Sequence, residues 1–464
     1  MLGTRCQNVG VPLQDSPGGQ LRSNWTTLRV AQTVVVALIA GTVSLTRILV
    51  VNPQALAGLL WAEDGLFPLC VRKAGLLTCL VDPFAGYFLF LPRMVAGFTA
   101  LFPISWWPLI ANATAALLAA VIAAWVMLVL RRAGCSFWFG ALVAILPVLT
   151  PMVGYETIGA IGSIYLPLLF AATITVAFPQ KGRAFTVLAA VLLLLTVLTL
   201  PTAVILVLPI LGQAHAGRIR KQAAGLLAGV LIVGAAIQLG FGLFSEHRRQ
   251  LSATTSTFFF WVENLPTYLA QFAPGLVIPE ATLFVPFPIT VARLLGAITV
   301  AVVVAVSLWL LISRRGPNAF GVATLLLMGL GLSAIPVILG NPNNRYYAVT
   351  MVLWAASGLL VVDRLIARLP RKWQRGFATS MIVVALVVLW IPGYPAAAWR
   401  ATAGPNWQEE ISRAAKACAV DPKNAVNFMM TPNWPAPGIP VYEPTTGLIR
   451  CDAVTDVDIP QLAR

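Results

Sequence analysis

"SWWPLIANATAALLAAVIAAWVMLVL", residues 105–130, runs for 26 residues without an acid, lysine or arginine and ends on Arg131 and Arg132. About 20 apolar residues cross the hydrocarbon core of a bilayer as a helix, and the lack of period-two alternation excludes the strand of a membrane barrel. The stretch reads as a transmembrane helix. Composition makes that reading general: of 464 residues 59% are hydrophobic and 10% charged, with a mean hydropathy of +0.85. Soluble domains do not reach such values. The expected fold class is therefore all-α, a polytopic membrane protein.

Similar apolar runs fall at 30–51, 137–153, 160–178, 184–199, 202–213, 222–243, 289–312, 318–339, 347–362 and 377–393, which makes about eleven spans in all. Residues 1–28 are polar and lack the apolar stretch and small-residue cleavage site of a signal peptide, so the first span is expected to be a retained anchor. "LTLPTA" places Pro201 between 184–199 and 202–213, leaving either two half-length helices or one kinked span. The stretch 84–103, "FAGYFLFLPRMVAGFTALFP", is apolar but carries Pro92 and Arg93 at its centre. It is expected to lie at the membrane interface.

The net charge of +15 raises the question of nucleic acid, but basic residues confined to short loops follow from the positive-inside bias, and no nucleic-acid partner is expected. With the N-terminus inside, every short inner loop is basic: Arg131 and Arg132; Lys181 and Arg183; Arg218, Arg220 and Lys221; Arg314 and Arg315; Arg364 through Arg375. The outer side receives Glu63, Asp64, Asp82, Glu156, Glu246, Glu263, Glu280 and the acidic tail. Acids contribute little to topology, so their segregation hints at use. The expected layout is a cytoplasmic segment 1–28, a transmembrane domain 29–393 whose first outer loop covers 52–104, and a small extracytoplasmic tail 394–464. The protein is expected in the cytoplasmic (inner) membrane, N-terminus inside and C-terminus outside.

The first outer loop opens with "WAEDGLFPLC", which sets Glu63 beside Asp64 between the interfacial anchors Trp61 and Phe67. Partial burial raises the basicity of a carboxylate and suits it to take a proton from a hydroxyl. Asp64, with the shorter side chain, is the expected base. Glu63 lies about 100° away on a helix and is expected to face a different partner.

One span, a long outer loop opening with adjacent acids, then many further spans and a small outer tail resemble the GT-C superfamily of integral-membrane glycosyltransferases. More narrowly, "WAEDGLF" followed by "DPFAGYFLFLPRM" is similar to a bacterial group within it. The likeness covers roughly residues 55–105 at motif level and the rest as topology. It implies an active site at the acid of the first outer loop and a sugar donor carried on a polyprenyl phosphate. The small tail departs from members with a large outer sugar-binding domain.

A departing lipid phosphate needs cationic support rather than a general acid. Arg345, in "LGNPNNRYYAV" beside Tyr346, is the first candidate and Arg93 the second. A charge at Arg93 must find a partner in Glu63, Asp82 or a phosphate. Tyr87, Asp82, Glu156 in "GYETIGAIG" and Glu263 in "FFFWVENLP" complete the substrate-binding candidates, and Arg72 and Lys73 read as loop residues or headgroup contacts. Two histidines exclude a His-rich metal site. No cofactor is required, and a divalent cation held by Glu63, Asp64 and phosphate stays open.

Cys70 and Cys79 share the first outer loop, Cys418 and Cys451 share the tail, and Cys6 and Cys135 fall inside. Disulfides Cys70–Cys79 and Cys418–Cys451 are the natural pairing in an oxidising compartment. In the tail, "GPNWQEEISRAAKACAV" reads as a helix with Asn406 as cap and Glu409 completing a capping box, followed by one or two short strands.

The expected function is transfer of a sugar from a polyprenyl-phosphate donor to a cell-envelope glycan or glycolipid acceptor, by inverting displacement, in polysaccharide biosynthesis. The rival is a non-enzymatic lipid or solute transporter or flippase. Transporters place ionisable groups at mid-membrane on broken helices, whereas these acids cluster at one face.

Overall fold

The structure, a computed structural model, describes residues 18–82, 87–150, 158–244, 289–313, 318–338, 344–391, 406–421, 423, 425–429 and 446–451. Helix α1 (Gly18–Leu49) leads into four short helices of the first loop: α2 (Ala55–Gly58), α3 (Ala62–Ala74), α4 (Leu76–Val81) and α5 (Phe90–Thr99). A 3-10 turn, Ile104–Trp106, then opens α6 (Trp107–Arg132). The bundle continues through α7 (Phe137–Leu149), α8 (Tyr165–Ala177), α9 (Arg183–Thr199), α10 (Val207–His215) and α11 (Lys221–Phe244). Beyond these come α12 (Ile289–Ser313), α13 (Ala319–Ile338), α14 (Asn344–Ala367) and α15 (Lys372–Trp390). The tail adds α16 (Trp407–Val420) and two antiparallel strands, β1 (Ala425–Met429) and β2 (Thr446–Arg450), with Ala425 opposite Arg450.

Every residue of α8 is buried, which sets it at the centre of the bundle. Helix α1 packs along α6, α9 along α11, and α13 against α12 and α14. The outer faces of these helices expose Val34, Leu38, Ile232, Val233, Trp309 and Val384 to their surroundings. An apolar surface this extensive is stable only against lipid. Among the described residues five helical stretches are long and apolar enough to cross a membrane: Val30–Leu49, Ile104–Arg132, Lys221–Leu243, Leu294–Ile312 and Tyr347–Ala367. Shorter apolar helices lie between them, and the chain is a multi-pass, all-α membrane protein whose tail adds, among the described residues, a two-stranded antiparallel sheet. At Pro201 the helix breaks into a 3-10 segment, Pro201–Leu206. The first turns of α9 and the last turns of α10 line one cavity, so the chain reverses there.

Polar side chains answer the helix ends that the sheath of apolar residues cannot. Arg47, wholly buried, donates Nη1 to the carbonyls of Val148 and Thr150 at 2.7 and 3.0 Å, closing the last turn of α7. Gln238 of α11 accepts from the Phe88 amide and donates to the carbonyls of Phe88, Val197 and Leu198. That one amide ties the first loop to α9. Helix α5 has ten residues, about 15 Å of rise, too short to cross a bilayer.

The first loop is braced from within. Cys70 and Cys79 are joined, with their Cα atoms 5.8 Å apart. Arg93, buried, donates to the Cys79 carbonyl and lies over the Phe67 ring at 4.8 Å. Arg72, expected to be a plain loop residue, instead donates Nη2 to the Phe102 carbonyl at 2.7 Å and covers Trp107 at 5.2 Å. An arginine beside a chain turn with open carbonyls finds them, because its planar fork reaches two elements at once.

The tail seats on this brace. Asn406 caps α16 through the Gln408 amide at 3.0 Å, so the cap bond closes on the second residue of the helix rather than on Glu409. Trp407, buried, donates Nε1 to the Ile104 carbonyl at 2.8 Å and lies against Trp107 and Phe428. Gln408 donates to the carbonyls of Ala57 and Ser105. Cys418 and Cys451 are joined, with Cα atoms 5.3 Å apart. Tail and first loop thus share a core containing Leu60, Leu69, Ile104, Trp107, Trp407 and Phe428. At the opposite end Cys135 is free and buried, and burial pushes its thiol up to about 12.

Trp407→Ala removes a buried ring and its hydrogen bond, and is expected to destabilise the tail by about 3–5 kcal/mol. Thermal unfolding in detergent and limited proteolysis read the effect. An unchanged midpoint with an intact tail would separate the tail from the first loop.

Candidate active site

The acids lie in the first turn of α3, after Trp61, whose extended backbone starts the helix. Asp64 is 6% exposed. Its Oδ2 accepts the Ile161 amide at 3.0 Å and its Oδ1 the Gly162 amide at 2.7 Å. Charge-assisted bonds of this kind are stronger than neutral ones and compensate the burial of a carboxylate. They fasten the first loop to the turn that enters α8. Gly159, at φ +68, bends the chain into that turn, a conformation other residues adopt at a cost.

Glu63 is half-buried and makes no hydrogen bond or ion pair among the described residues. It packs against Gly162, where an added Cβ would lie 3.0 Å from the Glu63 Cβ. The Glu63 side chain and the Asp64 Oδ1 thus both lie against one glycine, from positions about 100° apart on the helix.

Asp64 faces an enclosed space, bordered by Trp61, Gly159, Ile48, Ala111 and Asn112. Its volume is about 10 Å³, room for roughly one water and not for a sugar. Asn112 donates to the Pro108 carbonyl at 2.8 Å and, more weakly, to Leu59. That holds α2 to α6 on the far wall.

The remaining candidates separate. Burial lowers the pKa of Arg93, an effect Asp82 opposes, and its Nε has no hydrogen-bond partner among the described residues. Its guanidinium is turned into the first loop. Asp82 is exposed at the end of α4, and Tyr87 packs partly buried beside Phe67 and Leu89. Arg345 and Tyr346 fall in the first turn of α14, with side chains outside the described residues, as are Glu156 and Glu263 altogether. No group of three His, Cys, Asp or Glu stands together as a metal site among the described residues.

Several residues that shape this region carried no signal strong enough to single them out. Gln238 and Asn112 look like isolated polar residues in apolar helices. Such residues inside a membrane are costly unless bonded, and that alone marks them as fastenings.

No family model matches the chain, and no curated protein sequence matches it. The backbone is distantly similar to crystal structures of the Archaeoglobus fulgidus oligosaccharyltransferase. With the form bound to zinc and sulfate the identity is 16% and the TM-score 0.47, covering 84% of this chain and 56% of that one. For the apo form the values are 14%, 0.44, 78% and 55%. The form tethered by a disulfide to an acceptor peptide with the NVT sequon gives 14%, 0.43, 78% and 55%. The chain spans about half the length of these proteins.

Proposed function

We propose that the chain is a GT-C-type glycosyltransferase with about eleven spans, N-terminus inside, working at the outer face of the cytoplasmic membrane. It moves a sugar from a polyprenyl-phosphate donor to a cell-envelope glycan or glycolipid. The observation that carries this reading is the acid pair. One carboxylate is buried and fixed by two backbone amides, and a second stands half-buried beside it without a partner. An isolated solvated acid would need no such seat.

The reaction is a single displacement with inversion. The acceptor oxygen forms a bond to the anomeric carbon while the bond from that carbon to the phosphate oxygen breaks, and the electron pair leaves with the polyprenyl phosphate. The acceptor proton passes to a carboxylate. Asp64 was the expected base, but both of its oxygens already hold amides and the space before it admits one water. The geometry favours Glu63 as the base, with Asp64 as the positioning residue that fixes the first turn of α3 against Gly162. Arg345, at the start of α14, is assigned to the leaving phosphate. A guanidinium suits that role because it offers a phosphate two parallel donors.

The test is sugar transfer by purified protein from a panel of polyprenyl-phosphate sugars, scored by release of the lipid phosphate. Glu63→Gln is expected to lower kcat by about 100- to 10,000-fold, the contribution of a general base, with little change in thermal midpoint. Asp64→Asn puts an amide donor against backbone N–H groups and is expected to cost about 1–3 kcal/mol of stability as well as activity. Full turnover by Glu63→Gln with a folded, inactive Asp64→Asn would return the proton to Asp64. Full turnover by both would remove the acid pair from the chemistry.

Gly162→Ala presses on the Glu63 Cβ and displaces that side chain by a fraction of an ångström. A loss of about 10-fold or more in kcat is expected with the fold retained, since small misplacements of a reacting group are expensive in rate. Unchanged kinetics would show that Glu63 needs no fixed position.

A further inference from the structure

The largest cavity described lies at the other end of the bundle, away from the acid pair. It measures about 670 Å³ and opens between the first turns of α9 and α11 and the last turns of α8 and α10. Its mouth carries Lys181, Arg183, Arg218 and Arg220, and no acid lines it. Its walls are apolar, including Phe185, Leu193, Ile210 and Leu227. Four cations above an apolar slot match one kind of molecule, which has a phosphate at one end and hydrocarbon at the other.

A second observation points the same way. Gln213 is 1% exposed in the cavity wall, and its amide nitrogen donates to the carbonyls of Ala177 and Val176. Its Oε1 is buried and has no hydrogen-bond partner among the described residues. A buried acceptor left open is costly, and a ligand that brought a hydroxyl to this wall would offset that cost.

We propose that this cavity binds an anionic glycerophospholipid, its phosphate held by Lys181, Arg183 and Arg220 and one acyl chain lying on the wall of Leu193 and Leu227. Arg218 lies 4.9 Å over the Phe320 ring, so part of its work is to hold α13 beside the cavity. The positive-inside bias puts this end at the cytoplasmic leaflet, where anionic lipid is abundant. The site is independent of the reaction proposed for the acid pair.

Purified protein in neutral detergent, titrated separately with phosphatidylglycerol, phosphatidylcholine and inorganic phosphate and read by native mass spectrometry, tests it. Phosphatidylglycerol is expected to be retained over phosphatidylcholine, and inorganic phosphate is expected neither to bind nor to displace it. Lys181→Gln and Arg220→Gln, both at exposed positions, are each expected to weaken retention about fivefold, the weight of one basic residue near a lipid phosphate. Lys416→Gln, exposed on the tail helix, serves as the control without effect. Raising salt on the unaltered protein is expected to weaken retention as well, which reads the same charges without a substitution. Equal retention of the two lipids, insensitivity to both substitutions and salt, or displacement by inorganic phosphate would overturn the proposal.

Discussion

The two hydrogen bonds from the Ile161 and Gly162 amides to Asp64 hold the candidate site together. They connect the first loop, at α3 (Ala62–Ala74), to the turn that enters α8 (Tyr165–Ala177), a helix buried on every face. An ionised carboxylate at 6% exposure persists only with donors on its oxygens, and backbone amides at a turn are donors that need no further side chain. Whatever Glu63 does therefore happens at a place fixed relative to the centre of the bundle. The cation-rich cavity lies at the opposite end of that same central helix, whose last turn contributes Thr175 and Val176 to it.

Polar side chains bonded to distant backbone groups recur among the described elements. Arg47 answers the open carbonyls of α7, Gln238 takes both backbone groups of Phe88, Asn112 reaches back to α2, and Trp407 donates to the Ile104 carbonyl. Lipid offers no gain for burying one apolar helix on another, so close packing and polar fastenings carry the association instead. Close packing has its own mark at Gly321, where an added Cβ would run into the Phe178 ring and lie 2.9 Å from the Ala177 carbonyl. The first loop is thus tied to the bundle by Gln238, to the tail by Trp407 and to itself by Cys70–Cys79.

The elements governed by local composition were legible in the residues alone. Apolar runs bounded by arginines carry helices, Pro201 breaks the chain, and Asn406 caps α16 because a short side-chain acceptor before an amphipathic run has one good use. The cysteines separate by loop, and the two joined pairs follow that separation. What escaped depends on where a distant backbone points. That Asp64 accepts from residues about a hundred positions away, and that Arg72 and Arg93 donate to carbonyls of their own loop, are facts of tertiary approach with no periodic trace. The glycine at 162 was visible as one small residue among several, but its reason, the Glu63 side chain against it, was not.

That arrangement bears on why the acids come as a pair. A carboxylate that anchors two elements must keep its charge and its geometry, whereas one that takes a proton must lose its charge in each cycle. One group asked to do both would release the turn before α8 whenever it was protonated, since a protonated oxygen is a poor acceptor for the amide it held. Under the proposed reaction, adjacent residues about 100° apart on a helix separate the two tasks: Asp64 turns toward the amides, and Glu63 shares the backbone that they fix. Gly162 permits this packing, because an added Cβ there would press on the Glu63 side chain at 3.0 Å and touch Asp64 Oδ1 at 3.5 Å. On this view the dipeptide is a unit in which the buried acid fixes the backbone of its half-buried neighbour.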